Sequence, residues 1–518
     1  MITSERMAAV DRNAAAVGVP RKQLMESSGN AVARAVRETA AAGASVAVVA
    51  GRGNNGGDAF VAARFLSEYD VTVHLLGRPE TITTDISREN WDALQQAELP
   101  TEVVNDSKTL ALGDPDVVVD AVLGTGVSGA PREPEASAIE AVNAADAPVV
   151  AVDVPSGMDA DTGETPGVAV DADCVVTFHD VKPALADRED VTVADIGIPE
   201  AAELFVGPGD LQQLERDPHA HKGDFGRVLV VGGGPYTGAP ALSAQAALRA
   251  GADLAYLAVP DSIAETVQGY SENLIVDSYV GTRLLPEHVD EILDRAADVD
   301  VVVLGPGLGD SDDTLAAVRK FLAAYDDRAV VDADALQAVP EVETDADLVC
   351  TPHQGELEKM GGPGAADRED AAESASGDSG AASSEEDWRE RATDGQGVAE
   401  RRAGSDATRE RADAVEDFAA DLGQTLLVKG AYDVVSDGET TRVNRTGNPG
   451  MTVGGTGDVL AGATAAMFST LDPVPAASIG AYANGDAGDQ VVDEHDYGLL
   501  ATDLLDALPA ALWGGRDE

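Results

Sequence analysis

Short valine-rich runs alternate with alanine-rich, helix-length stretches along most of the chain, and this rhythm restricts the fold more than any other feature. Val46–Gly51, Val71–Gly77, Asp116–Gly124, Pro148–Asp153, Asp173–Phe178 and Val191–Ile196 form a first series. Continuous apolar runs of this length, separated by helices, mark strands buried on both faces and therefore a parallel, layered α/β sheet. The first run leads through a Gly/Asn loop into a helix from about Asp58 to Glu68, and helices Ser4–Ala16 and Arg21–Ala42 precede it. A second series comprises Arg227–Gly234, Leu254–Val259, Val299–Gly305, Ala329–Ala333, Leu348–Thr351 and Thr425–Lys429. Tyr432–Ser436 and Thr441–Asn444, around Asp437-Gly438, read as a hairpin.

A single core stops growing at about 250–300 residues. At 518 residues, the two series therefore predict two domains, 1–205 and 221–518, joined by a polar linker over 206–220. Gly361 to Arg411 has no Ile, Leu, Met, Phe or Tyr. Such a segment buries too little apolar surface to offset its ordering entropy, so 361–411 is expected to be a disordered acidic insertion.

The net charge of −58 comes from 93 Asp and Glu against 35 Lys and Arg. Self-repulsion on this scale is relieved by concentrated salt, which suits a halophilic cytosol and disfavours nucleic acid or an anionic membrane as partner. Cys174 and Cys350 make no disulfide framework and no metal motif. The N-terminus lacks a secretory h-region, and no apolar run approaches roughly 18 residues, so a cytoplasmic location is expected.

Three glycine-bearing loops follow strands of the first series. They are Gly51–Asp58, Asp120–Ala130 and Asp153–Asp159. Ligands of open parallel sheets bind at the carboxyl ends of strands, so the three should converge on one crevice, with Asp153 as its candidate acid/base. Paired Asn54 and Asn55 supply neutral oxygens suited to a weakly hydrated cation or to a ligand amide. Lys182 reads either as a phosphate contact or as a solvated lysine.

The second series has its own loops. Gly305-Pro-Gly-Leu-Gly309, Thr351-Pro-His353-Gln-Gly-Glu356 and Lys429–Asp433 each follow a strand, and Pro235–Leu242 leads into a helix over Ser243–Gly251. Asn448 to Gly462 places a glycine cluster and Asp458 ahead of an apolar segment, Val459 to Leu471. A helix start presents unpaired amides and positive potential, a ready anion site. Asp458 would repel phosphate, so it reads either as a helix cap or as a base aimed at a hydroxyl that attacks phosphorus. No GxxxxGK[ST] is present, which excludes P-loop chemistry.

Asn54–Asp58, Asp120, Gly124–Ala130 and Asp153–Gly157, in that order, resemble the NAD(P)H-hydrate epimerase domain. The resemblance implies a Rossmann-like three-layer fold that interconverts R and S hydrates of NADH and NADPH. It implies hydrate contacts at Asn54, Asn55, Gly56, Gly57, Asp58, Gly124, Thr125, Gly126, Val127, Ser128, Gly129, Ala130 and Asp153, with Asp153 as acid/base. It also implies a potassium ion on Asn55, Asp120 and Ser156. The Gly-Ala-Pro, Gly-Pro-Gly-Leu-Gly, Thr-Pro-His-x-Gly-Glu and Gly-Thr-Gly-Asp motifs together resemble the ADP/ATP-dependent NAD(P)H-hydrate dehydratases, which have a ribokinase-like α/β fold. That resemblance implies substrate contacts at Ala239, Gly307, His353 and Asp458. Nucleotide contacts would come from Lys429, Gly430, Ala431, Tyr432, Asp433 and Gly457, with magnesium and ADP. Gln354 stands where the family has proline, and Tyr432-Asp433 departs from a glycine-rich continuation.

The expected protein is a bifunctional metabolite-repair enzyme. It would epimerise the hydrates and use ADP to dehydrate the S form to NAD(P)H, releasing AMP and phosphate. A homo-oligomer is compatible with this reading. A small-molecule kinase would share the second fold but has no need of Asn54–Asp58. A nucleotide-binding regulator has no need of intact Asp153 and Asp458.

Overall fold

The computed structural model describes residues 1–364 and 395–514. The chain folds as two compact units, Met1–Glu203 and Leu204–Glu518. The first holds a sheet of β1 (Ser45–Ala50), β2 (Asp70–Leu76), β3 (Thr101–Val104), β4 (Val117–Ala121), β5 (Val149–Val152), β6 (Cys174–Phe178) and β7 (Val191–Ala194). Its order is β3-β2-β1-β4-β5-β6-β7, and every pairing is parallel. One apolar layer packs helices Ser4–Ala16, Arg21–Thr39 and Asn54–Phe65 on one face, and a second packs Glu135–Asn143 on the other. Chain order reverses between β1 and β4, which opens a crevice at their carboxyl ends.

The alternating rhythm locates six of these strands and misses β3. As an edge strand it is half exposed, so it carries no continuous apolar run. The helix after β1 starts at Asn54, four residues ahead of the expected Asp58. Asn-Asn-Gly-Gly is its first turn rather than a loop, because the backbone is too close to its neighbours for side chains. A Cβ on Gly56 would lie 2.2 Å from the Gly51 carbonyl oxygen, and one on Gly57 would lie 2.4 Å from Ser87 Oγ.

The second sheet contains β8 (Arg227–Val231), β9 (Leu254–Pro260), β10 (Ile275–Tyr279), β11 (Val301–Leu304), β12 (Ala329–Val331), β13 (Leu348–Cys350), β14 (Thr425–Val428), β15 (Asp433–Ser436) and β16 (Thr441–Asn444). The order is β10-β9-β8-β11-β12-β13-β14-β15-β16. Strands β10 to β14 are parallel, and β15–β16 form the expected antiparallel hairpin. Strand β10 escapes the sequence pattern for the same reason as β3, being a polar, exposed edge. Helices Gly238–Ala250 and Thr456–Phe468 cross at closest approach, where a Cβ on Gly462 would lie 2.0 Å from the Ser243 carbonyl oxygen. Gly462→Val is therefore expected to destabilise this unit by roughly 1–3 kcal/mol through overpacking, read as a lowered melting temperature with epimerisation retained.

Two expectations about connecting segments differ from the structure. The stretch assigned as a linker folds into the second unit from Leu204 onward. Val206 N–H donates to the Val443 carbonyl, Leu211 and Leu214 are buried, and Arg442 pairs with buried Asp210 at 2.9 Å. Asp210 serves that buried ion pair, while Gln212, Glu215, Arg216, Asp217 and His219 face solvent. The supposed insertion is helical from Gly395, within a helix that runs to Leu422. Ala412, Val415 and Ala419 bury one face of that helix against the sheet, and this anchor lets the preceding Ala, Arg and Glu residues continue it. The remainder of the expected insertion, 365–394, lies outside the described residues.

Candidate active sites

In the first unit, Asp120 is the penultimate residue of β4 and is fully buried. Its Oδ1 accepts from Ser156 Oγ at 2.6 Å and from Val122 N–H at 3.3 Å, and its Oδ2 accepts from Ser156 N–H at 2.9 Å. Burial pushes its carboxyl up to about 6, against the pull of the Ser156 and Val122 hydrogen bonds. Asn55 Nδ2 donates to the Leu123 carbonyl at 2.9 Å, which leaves the Asn55 amide oxygen to a ligand. A side chain on Gly124 would meet Asn55 Cβ at 3.2 Å. Asn55, Asp120 and Ser156 are thus brought together around the Leu123 carbonyl. Gly126, Val127, Ser128, Gly129 and Ala130 line an exposed loop above them, with Gly124 and Thr125 half-buried at its base. A shallow pocket joins Gly124, Val127 and Gly129 to Gly157 and Met158.

Asp153 follows β5 in the left-handed region, at φ 65°. Its Oδ1 accepts from Thr177 Oγ1 at 3.1 Å and Phe178 N–H at 3.3 Å, and pairs with Lys182 Nζ at 3.0 Å. Lys182 is completely buried and also donates to the Phe178 carbonyl at 2.8 Å. Neither sequence reading of Lys182 holds, because it is neither solvated nor free to meet a phosphate. It neutralises Asp153 inside an acidic cluster. Asp58 is driven well above the usual carboxylate range by burial, then by the charges of Asp153 and Asp11, with a Ser28 hydrogen bond opposing. Asp11 is raised chiefly by its own burial. It sits on the first helix, where no motif flags it.

The second crevice lies at the carboxyl ends of β8 and β11 to β14. Gly307, at φ 73°, comes so close to the Gly238–Ala250 helix that a Cβ there would be 3.3 Å from Ala239 Cβ. Across from this pair, helix Thr456–Phe468 begins at Gly455, whose φ of 101° is left-handed. Gly455 is the N-cap and Asp458 stands in the first turn, so the reading of Asp458 as the cap fails. Ser243 Oγ anchors this turn by donating to the Asp458 carbonyl at 2.9 Å. Burial pushes the Asp458 carboxyl up to about 7, Asp332 adds to the rise, and Lys429 opposes it.

Lys429 Nζ pairs with Asp332 Oδ1 at 3.0 Å and lies 3.8 Å from Glu356 Oε2. Burial disfavours its charge, but the carboxylates of Asp332, Glu356 and Asp458 outweigh this and raise it above the ordinary lysine range. A Cβ on Gly457 would be 3.4 Å from Lys429 Nζ, so the cation sits against the helix start. Sequence reasoning missed Asp332. It is 2% exposed, directly follows β12, and accepts from Thr351 Oγ1 at 2.7 Å. An aspartate after a valine run was the available signal, but so acidic a chain hides one carboxylate among many.

His353 caps helix Gln354–Lys359. Its Nδ1 accepts from Gly355 N–H at 3.0 Å and Glu356 N–H at 3.3 Å, and Glu356 Oε2 accepts from His353 N–H at 2.8 Å. The ring is still 60% exposed, so capping leaves its outer edge open to a ligand. Gln354 Nε2 donates to the Pro363 carbonyl at 2.8 Å, which tethers the start of this helix to the chain beyond its end. Gly430, Ala431 and Tyr432 form an exposed loop beside Lys429. Asp433 turns its carboxylate back to brace that loop, accepting from Gly430 N–H and Asn444 Nδ2, each at 3.0 Å. A separate cavity, lined by Arg216, Phe225, Met467 and Trp513, lies before β8, away from the strand ends that carry these groups.

Residues 21–184 match the family model described as the YjeF-related protein N-terminus. Residues 228–381 and 398–510 match the model described as NAD(P)H-hydrate dehydratase. The bifunctional NAD(P)H-hydrate repair enzyme Nnr of Pyrobaculum aerophilum is 42% identical, over 99% of this chain and 98% of that protein. The chain belongs to the bifunctional NAD(P)H-hydrate repair enzymes. The Nnr enzyme of Methanothermobacter thermautotrophicus is 40% identical, over 98% of this chain and 94% of its own. The ADP/ATP-dependent NAD(P)H-hydrate dehydratase of Bacillus subtilis, co-crystallised with ATP/Mg2+, aligns at a TM-score of 0.46 and 23% identity, over 60% of this chain and 97% of that one. Each unit carries one of the family's two parts. Residues 382–397 of the acidic stretch fall outside the dehydratase model.

Proposed function

We propose that the first crevice epimerises NAD(P)H hydrates and that the second removes water from the S epimer at the expense of ADP. The observation that carries this reading is the meeting of Asp458, Lys429 and Asp332 at a helix start. A carboxylate held near 7 is poised to take a proton at neutral pH, and the lysine beside it suits a transferring phosphoryl group. Asp458 accepts the ring hydroxyl's proton as that oxygen attacks the terminal phosphorus of ADP, releasing AMP. The amides of Thr456, Gly457 and Asp458 face the charge on the transferring group. The phosphorylated oxygen then leaves as phosphate, and elimination restores the reduced nicotinamide ring. Ala239, Gly307 and the exposed edge of His353 hold the hydrate. Magnesium would enter on the nucleotide phosphates, retaining much of its water, and would neutralise charge there.

In the first crevice Asp153 moves the proton. Potassium fits the group formed by Asn55 Oδ1, the Leu123 carbonyl, Ser156 Oγ and Asp120, which offers neutral oxygens and one carboxylate whose charge burial disfavours. A cation there would hold Asp120 ionised and fix the loops that close over the hydrate. Exchanging potassium chloride for equimolar choline chloride should lower epimerisation and the melting temperature of the first unit. At potassium concentrations about 100 times Kd, linkage supplies about 2.7 kcal/mol. An unchanged melting temperature would remove potassium from the proposal.

The whole reading is tested by incubating mixed NADH-hydrate epimers with protein, magnesium and ADP or ATP in concentrated potassium chloride. Absorbance of the reduced nicotinamide should return in full, because epimerisation feeds the R form to the dehydratase. No return with either nucleotide, from folded protein, would refute it.

A further inference from the structure

Arg411 ends the compositionally biased stretch expected to be disordered, yet its guanidinium reaches the Lys429–Asp433 loop. It donates to the carbonyls of Val428 at 3.2 Å, Lys429 at 3.3 Å and Tyr432. A trans peptide points its C=O and N–H in opposite directions, so each carbonyl held by Arg411 also aims the amide that follows it. The far sides of two of these planes are held as well. Lys429 N–H donates to the Pro352 carbonyl at 2.8 Å, and Gly430 N–H donates to Asp433 Oδ1 at 3.0 Å. The loop is thus clamped between Arg411 and the Asp433–Asn444 brace, and Lys429 projects from it towards Asp332 and Asp458. Contact is close enough that a Cβ on Gly430 would lie 2.8 Å from the guanidinium. A planar fork with several donors in fixed directions suits three carbonyls at once.

We propose that Arg411 is a positioning residue for nucleotide binding, holding the Lys429–Asp433 loop in the shape that receives a nucleoside diphosphate. The inference rests on the nucleotide reading of that loop given above. It makes the helix Gly395–Leu422 a working part of the second site rather than the end of an inert insertion.

The test is calorimetric binding of ADP with magnesium to the full chain, alongside steady-state dehydration. R411A should raise both Kd and KM for ADP about tenfold or more, the scale of one or two charge-assisted hydrogen bonds. kcat at saturating ADP should stay within about twofold. R411K, which keeps the charge but not the fork, should fall between R411A and wild type. Low-millimolar guanidinium should restore ADP affinity to R411A and leave wild type unchanged. Circular dichroism and the melting temperature of the second unit report on its folding throughout. Equal ADP affinity in wild type and R411A overturns the inference while leaving the nucleotide reading intact. So does a loss of kcat and melting temperature without a change in Kd. If R411A does not fold, R411K with wild-type affinity overturns it. Failure of the wild type to bind ADP would instead remove the nucleotide reading beneath it.

Discussion

Asp458→Asn is expected to abolish ADP-dependent dehydration and leave epimerisation at its wild-type rate. Loss of a general base costs roughly 10²- to 10⁴-fold, and asparagine keeps the shape of the first helical turn while removing the proton acceptor. The Ser243 hydrogen bond goes to the Asp458 carbonyl, so the crossing of the two helices survives the change. The measurement is return of reduced-nicotinamide absorbance from the pure S hydrate, with R/S exchange followed separately by chromatography. Loss of both activities would contradict the division of labour between the two units.

The same carboxylate sets a pH dependence whose direction follows from its environment. Asp458 is raised to about 7, so it is protonated below that pH and cannot act as a base. kcat/KM for the hydrate should therefore fall about tenfold per pH unit below 7 and level off above it. Asp332 contributes to the rise and Lys429 counters it. Asp332→Asn should thus move the acidic limb to lower pH, both by removing a neighbouring charge and by freeing Lys429 to favour the ionised carboxylate. A limb that stays in place in Asp332→Asn would show that another group controls it.

The second large effect is expected from Lys182→Met. Lys182 is wholly buried and supplies the positive charge that faces Asp153 within a cluster also holding Asp11 and Asp58. Removing one partner of a buried pair costs about 3–5 kcal/mol, because the other charge is left uncompensated. Epimerisation should be lost and the first unit should melt earlier, while dehydration of pure S hydrate continues. Adding Asp153→Asn to Lys182→Met should recover much of the lost stability without recovering epimerisation, since the stranded charge is then gone. If the double variant melts no higher than Lys182→Met, the destabilisation comes from the lost Phe178 hydrogen bond or from packing instead.

Lys182 also shows where sequence reasoning reaches its limit. A lysine in so acidic a chain invites a role facing ligand or solvent, and only the fold shows that Phe178 to Lys182 turns its side chain inward under Asp153. Asp332 and Arg411 went unseen for related reasons. Asp332 is one carboxylate among many, and Arg411 belongs to a segment whose composition argues against structure. Its order comes from contacts with strands that lie after it in the chain.

Valine-rich runs between helices determined the parallel strands of both sheets, because a strand buried on both faces must be apolar along its length. Glycine loops at strand ends determined where ligands could approach, because only a bare backbone fits such contacts. Asp153 and Asp458 could be nominated as acid/base groups from those loops alone. Their electrostatic states could not, since a carboxylate's affinity for protons depends on burial and on charges brought near from distant parts of the chain. Asp458 owes its value of about 7 to its own burial and to Asp332 and Lys429. Asp153 meets its counter-charge through Lys182, on a separate strand connection. The tertiary structure alone decided those pairings, because it brings together groups that lie far apart in the chain.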